Sequence, residues 1–533
     1  MSFRKNSSQQ MSIFDTTFSL TEREKKALER SWAKIFAEDV FPQIDEERFS
    51  VLYSDKASRP NTPINVIVGA LVLKELFGIS DDEIVDNLML DPRYQLALHT
   101  TSYQEQPLSD KSLSRFRVRC YNYEETYGID LYHGFVTNLA EASAKMMSID
   151  KRIRRMDSLM VEANIRKLSR MELLYTCISK LVTYLHKNGH DDLIGHMAHY
   201  YDPNDFNKVI YHCSDVDVEE RFKVLLKDAD TLLERCDGSF DEVTEYQLFV
   251  RCLSEQTIVE NNTRRLRTKE DKSMDSALMQ SPVDPDATFR TKAGKQHRGY
   301  TANVEESVGA NGSIITDYQF DSNNKSDSEF LKEHLEHIGH QDEETTIVAD
   351  GAYSGDENVN AAADQNIKLV TTDLLGKDVD PIMGAFQFSE DGTKVLQCPA
   401  GNVPKTNWYN KQSGQVNVSF PRECCAGCPY QQNCHPKIFK RVSKLTVSNK
   451  MKNRAIIQRR MQTDEFKMLA RLRNGVETVP SLLKNQFNVN KMRVHGLIRC
   501  KFNFGSKIAA LNFRKLFRFR MGSGHYAPNP VLA

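Results

Sequence analysis

The 533-residue chain has no apolar run long enough to cross a bilayer, and its polar start, MSFRKNSSQQ, lacks the hydrophobic stretch of a secretory signal. Those two absences set aside membrane and secreted classes, so a cytoplasmic protein with no membrane partner is expected. Net charge is nearly absent as well, because 71 Lys and Arg stand against 72 Asp and Glu. A regular cysteine framework is also missing. Cys120, Cys177, Cys213, Cys236, Cys252 and Cys500 are scattered, as inert core thiols of a reducing compartment would be. What the chain does have is length, more than one core can use, which asks for two to four domains.

The balanced charge hides an asymmetry. From Asp202 to Arg251 acids outnumber bases about two to one, whereas from Pro436 to Met521 there are 22 Lys and Arg and three acids. A field of that sign calls for a polyanion such as DNA, since each neutralised phosphate releases condensed counterions. The five remaining cysteines also cluster. CPAGNVP followed by CCAGCPYQQNC gives Cys398, a Cys425-x2-Cys428 pair and Cys434. Four thiolates suit a closed, structural, tetrahedral zinc site, in which Cys424 or His435 could replace one ligand.

Along the chain, residues 1–150 read as helical. Thr21 with Glu24 and Ser80 with Glu83 are placed as capping boxes, and Gly78 stops an apolar helix. The stretch SDKSLSRFRVRCYNY adds a basic helix with Arg115 and Arg117, in the style of a helix-turn-helix DNA reader. IRRMDSLMVEANI then changes to a period of two, a strand carrying Asp157 and turning near Ala163. Helical patterning returns over 167–279. HRGYTANVEESV, Gly-Ala-Asn-Gly and GSIITDYQF make a hairpin, followed by helix, strand, helix and strand. TTIVA, in the run TTIVADGAYSGDENV, is a short apolar strand that ends on Asp350. Open α/β sheets place chemistry at that edge, and capping of the following turn is the plainer role for such an acid. Without the 167–279 block, the order is that of a mixed α/β sheet.

These pieces resemble the DDE transposases of bacterial insertion sequences. RPNTPINVIVGALVLKELFGISDDEIVDNL and LSDKSLSRFR look like the N-terminal domain of such proteins, and SPVDPDATFRTKAGKQHRGYTANV like the region before the second aspartate. One group of the family carries Tyr-x2-Arg-x3-Glu-x6-Lys. Here RLRNGVETVPSLLK supplies Arg473, Glu477 and Lys484, with Ala470 in the tyrosine position. On one helix the three would share a face, with a kink expected at Pro480.

The resemblance implies an RNase H-like core in which Asp157 and Asp350 lie on adjacent strands and Glu477 on a later helix. Those three acids would hold two Mg²⁺, or Mn²⁺, for DNA cleavage and strand transfer. It also implies double-stranded DNA partners, transposon ends and target, a homodimer or larger assembly on that DNA, and a bacterial, nucleoid-associated setting. Arg473, Lys484, Arg115 and Arg117 are candidate DNA contacts, and so is Tyr353 unless it packs under the sheet. Asp284 and Asp286 rival Asp157 as the first acid. The expected organisation is a helical DNA-binding domain (1–150), core strands (151–166 and 280–375), a helical insertion (167–279), a zinc insertion (376–445) and a region with the catalytic glutamate and a basic end (446–533). An inactive, DNA-binding descendant and a nuclease without strand transfer are the alternative functions.

Overall fold

The computed structural model describes residues 1–6, 13–56, 58–210, 215–261, 263–268, 270–271, 277–292, 294–371 and 378–522. Cys213 lies outside them. The chain divides into two compact units, one of residues 1–151, 157–330 and 479–533, the other of residues 152–156 and 331–478. Among the described residues no helix is long and apolar enough to cross a membrane.

The first unit begins with helices whose ends follow local chemistry. Thr21 and Glu24 cap the helix Glu22–Glu29 reciprocally, and Ser80 and Glu83 do the same for Asp81–Leu90. Gly78, at φ 68°, ends the buried helix Ile64–Phe77 in the left-handed conformation that glycine adopts without strain. The strand β1 (Ile153–Glu162) follows, and its residues from Asp157 onward belong to this unit.

Residues 167–279 are helical as expected at Arg170–Lys187, Asp215–Cys236 and Thr244–Gln256. They also hold an unexpected two-stranded hairpin, β2 (Thr257–Glu260) and β3 (Thr263–Leu266). The apolar cluster of this block draws on side chains from Leu168 to Met279 and from nowhere else among the described residues.

Three strands then form an antiparallel meander: β4 (Thr288–Lys292), β5 (Lys295–Gly309) and β6 (Gly312–Ser322). β5 lies beside β1, where Gly299, at φ 145°, leaves room for the β1 backbone: a Cβ there would stand 2.3 Å from the Val161 carbonyl oxygen. The helix Leu497–Arg520 completes this unit and is buried along most of its length.

In the second unit, Ile153, Arg154 and Arg155 of β1 pair in parallel with Thr346, Ile347 and Val348 of β7 (Thr345–Ala349). β7 pairs in parallel with β8 (Ile367–Thr371). The helix Asp464–Asn474 covers these strands through Phe466 and Leu469 against Val348 and Val370. A four-stranded antiparallel sheet, ordered 406–410, 415–421, 442–447 and 437–438, carries the cysteine-rich segment. Antiparallel strands on the meander side and parallel ones about β7 make the mixed α/β architecture compatible with an RNase H-like core.

Candidate active site

Asp350 is the first residue after β7, so the rigid end of a buried strand sets its position. One carboxylate oxygen accepts from the Ala352 amide at 2.6 Å and caps the turn Gly351–Tyr353. The other lies 3.8 Å from Nη2 of Arg473. Nη1 of the same guanidinium donates to Glu477 Oε1 at 3.2 Å. Arg473 therefore bridges two of the expected acids. Its Nε is buried with no hydrogen-bond partner among the described residues.

Glu477 does not ride on one unbroken helix with Arg473 and Lys484. Asp464–Asn474 ends, Gly475–Glu477 forms a 3₁₀ turn, and a new helix runs Thr478–Asn485. The expected kink at Pro480 is corrected accordingly. Proline falls in the first turn of the second helix, where its missing N–H was not needed for an intrahelical bond.

Asp157 lies midway along β1, half-buried, and its Oδ1 accepts from the Ser158 amide at 2.9 Å. Lys292 Nζ reaches Ser158 Oγ at 3.5 Å, and Lys295 faces Lys292 across the β4–β5 pair. Burial holds the Lys484 ammonium below its ordinary range; Glu162 raises it, Lys292 and Lys295 lower it further, and Asp157 raises it. Lys292 and Lys295 thus join Asp157 and Lys484, which the motif reading missed although the basic run FRTKAGKQ was its signal. Arg155, two residues before Asp157, pairs with Val348, two residues before Asp350.

The rival acids have other work. Asp284 is fully buried and accepts from the Tyr300 hydroxyl at 2.5 Å and the Gly496 amide at 3.1 Å. Burial raises its pKa against both bonds. Asp286 accepts from the Leu497 amide at 3.0 Å, so the pair caps the start of Leu497–Arg520.

Two of the expected DNA contacts have other contacts within the chain. Tyr353 is fully buried and packs in the apolar cluster under β7. Arg117 pairs with Asp81, which Lys74 also reaches at 2.7 Å, and ties two helices together. Arg115 is exposed.

Cys398, Cys425, Cys428 and Cys434 line one cavity together with Cys424 and the rings of Phe386 and Phe420. Gly427, at φ 84°, forms the tight turn inside the CxxC pair, where the Cys428 amide bonds to the Cys425 carbonyl at 3.2 Å. Burial, then Cys428, Cys398 and Cys425, push the Cys434 thiol up to about 11. Burial likewise raises Cys425, and neighbouring thiols add to it. Among the described residues no three His, Cys, Asp or Glu side chains are drawn together closely enough to grip an ion.

Residues 24–119 match a family model described as a transposase domain, and residues 397–517 match one described as a transposase DDE domain. The first match spans Arg115 and Arg117, and the second spans the cysteine cluster, Arg473, Glu477 and Lys484. No curated protein and no solved structure matches the chain.

Proposed function

We propose that the chain is a DDE transposase of an insertion sequence, a reading its two transposase-domain matches support, and that it binds the element's terminal inverted repeats and carries out Mg²⁺-dependent cleavage and strand transfer of DNA. The observation that carries this reading is the bridge Asp350–Arg473–Glu477, in which a strand-end acid and a distant glutamate meet around one cation.

The resemblance makes Asp157, on β1, the third member. The donor type suits the ion, since Mg²⁺ prefers carboxylate oxygen and takes one or two protein carboxylates with substrate phosphate, and Asp350 and Glu477, joined through Arg473, would be that pair although no three acids are gathered among the described residues. Divalent ions held there would activate a nucleophilic oxygen and stabilise the leaving one.

The chain's own residues do the rest. Arg473, whose guanidinium lies between Asp350 and Glu477, would carry positive charge for a phosphate oxygen beside the acids. Lys484, Lys292 and Lys295 supply positive charge around Asp157 for the DNA backbone. Cys398, Cys425, Cys428 and Cys434 would hold a structural zinc, whose support is four thiols of suitable spacing on one cavity.

The test is incubation of the full chain with DNA bearing the element's ends. Mg²⁺-dependent nicking and joined products are expected, and binding without any nicking would defeat the enzymatic reading. Purified protein should carry one zinc per chain, lost in Cys428→Ser; a metal-free but folded wild type would remove the zinc assignment.

A further inference from the structure

Arg155 is only 8% exposed, unusual for a cation on a strand. Its Nη1 donates to the carbonyl oxygen of Leu472 at 2.8 Å, in the last turn of Asp464–Asn474. That turn leads directly into Gly475–Glu477. The carbonyls at a helix end carry the negative pole of the helix, so a guanidinium is a fitting partner for them.

Gly475 borders the same guanidinium. A Cβ at Gly475 would stand 2.1 Å from Nη1 of Arg155 and 3.1 Å from its Cζ. Its φ of −67° is ordinary for any residue, so glycine is needed there for room and not for backbone freedom. A side chain from the first strand thus enters a notch that the absent Cβ leaves open, one residue pair away from Glu477.

We propose that Arg155 and Gly475 form a lock that fixes the Glu477 turn to β1, whose residues Ile153 to Arg155 pair with the strand that ends on Asp350, making Arg155 a positioning residue for metal binding by Glu477 and Asp350. This rests on the transposase reading for the role of those two acids, and it adds the device that holds one against the other. Moving the turn by a fraction of an ångström would move Glu477 relative to Asp350.

The test uses the DNA-free full chain and reads Mn²⁺ binding by electron paramagnetic resonance of the free ion, alongside metal-free DNA binding. Arg155→Ala should weaken Mn²⁺ binding about tenfold, as loss of a supporting partner commonly does, and leave metal-free DNA affinity unchanged. Arg155→Lys, which keeps one donor, should fall between. Gly475→Ala should resemble Arg155→Ala, and the double variant should be no weaker than either single one, since both break the same contact. Unaltered Mn²⁺ binding in a folded Arg155→Ala chain, or strictly additive losses in the double variant, would overturn the lock. A wild type that binds Mn²⁺ through these acids yet never cuts DNA would instead overturn the transposase reading and leave the lock standing.

Discussion

The basic segment from Pro436 to Met521 contains two helical regions that look alike in sequence and differ in what their cations do. In Leu497–Arg520 most cations meet acids of other elements, although Arg499 and Arg520 are exposed. Lys501 meets Glu124 and Asp130, Lys507 meets Glu75 at 2.5 Å, Lys515 meets the fully buried Glu306, and Arg520 meets Asp39 at 2.6 Å. In Asn449–Arg460 and Asp464–Asn474, by contrast, Lys450, Arg459, Arg460 and Arg471 are exposed. The strong positive field expected over the whole segment is therefore uneven: acids from elsewhere in the chain pair with cations at its end, while cations of Asn449–Arg460 and Asp464–Asn474 stay exposed. Charge counted along a sequence measures a surplus, and the fold decides which part of it faces a polyanion.

Several substitutions would break or sharpen that contrast. The largest effect is expected where the exposed region carries chemistry. Glu477→Gln and Asp350→Asn should each lower Mg²⁺-dependent end cleavage about a thousandfold, because the metal clamp is worth several kcal/mol and each ~1.4 kcal/mol is tenfold. Thermal unfolding should hardly move, and retained cleavage in either variant would remove that acid from the site.

Next comes the inward region. Lys515→Met strands Glu306 without its ammonium in the core and should cost about 3 kcal/mol, read as a lower Tm. DNA affinity of the folded fraction should not change; a loss of affinity at unchanged Tm would mean that Lys515 faces DNA after all.

Smaller again, Arg459→Ala with Arg460→Ala should weaken DNA binding roughly tenfold. The slope of log affinity against log salt should fall by about one per lost phosphate contact, with Tm unmoved.

The smallest effect belongs to the acid that caps the inward helix. Burial raises the Asp284 carboxyl above its ordinary 3.8. A raised carboxyl contributes stability that is complete below that ordinary value and is lost as pH climbs through the folded one. Tm of the wild type minus that of Asp284→Asn should thus fall across this window; a flat difference would remove burial as the governing influence.

Local chemistry was legible in the sequence and long-range partnership was not. Both capping boxes, the Gly78 stop, β1, the β5–β6 hairpin and the β7–β8 order could be read because the signal for each lies within a few residues. β2 and β3 escaped because TIVE and TRRL are short and half charged, with no apolar run to mark them. The break before Glu477 escaped because Pro480 looked like the interruption while Gly475 gave no sign of the guanidinium beside it. Asp284 rivals Asp157 in the sequence because its partners, Tyr300 and Gly496, come from 16 and 212 residues away. The pairing of Arg117 with Asp81, 36 residues apart, was hidden for the same reason.

Among the described residues, the apolar cluster between Leu168 and Met279 is built from that block's own side chains, as a guest in a host sheet would build it. A lineage could trade such a passenger for another, or shed it for a short linker, without rewriting the strands on either side. Loop closure rises only with the logarithm of length, so the detour costs the host about as little as a much shorter one would. The size of this protein would then record the history of a single interchangeable cassette more than the needs of its chemistry.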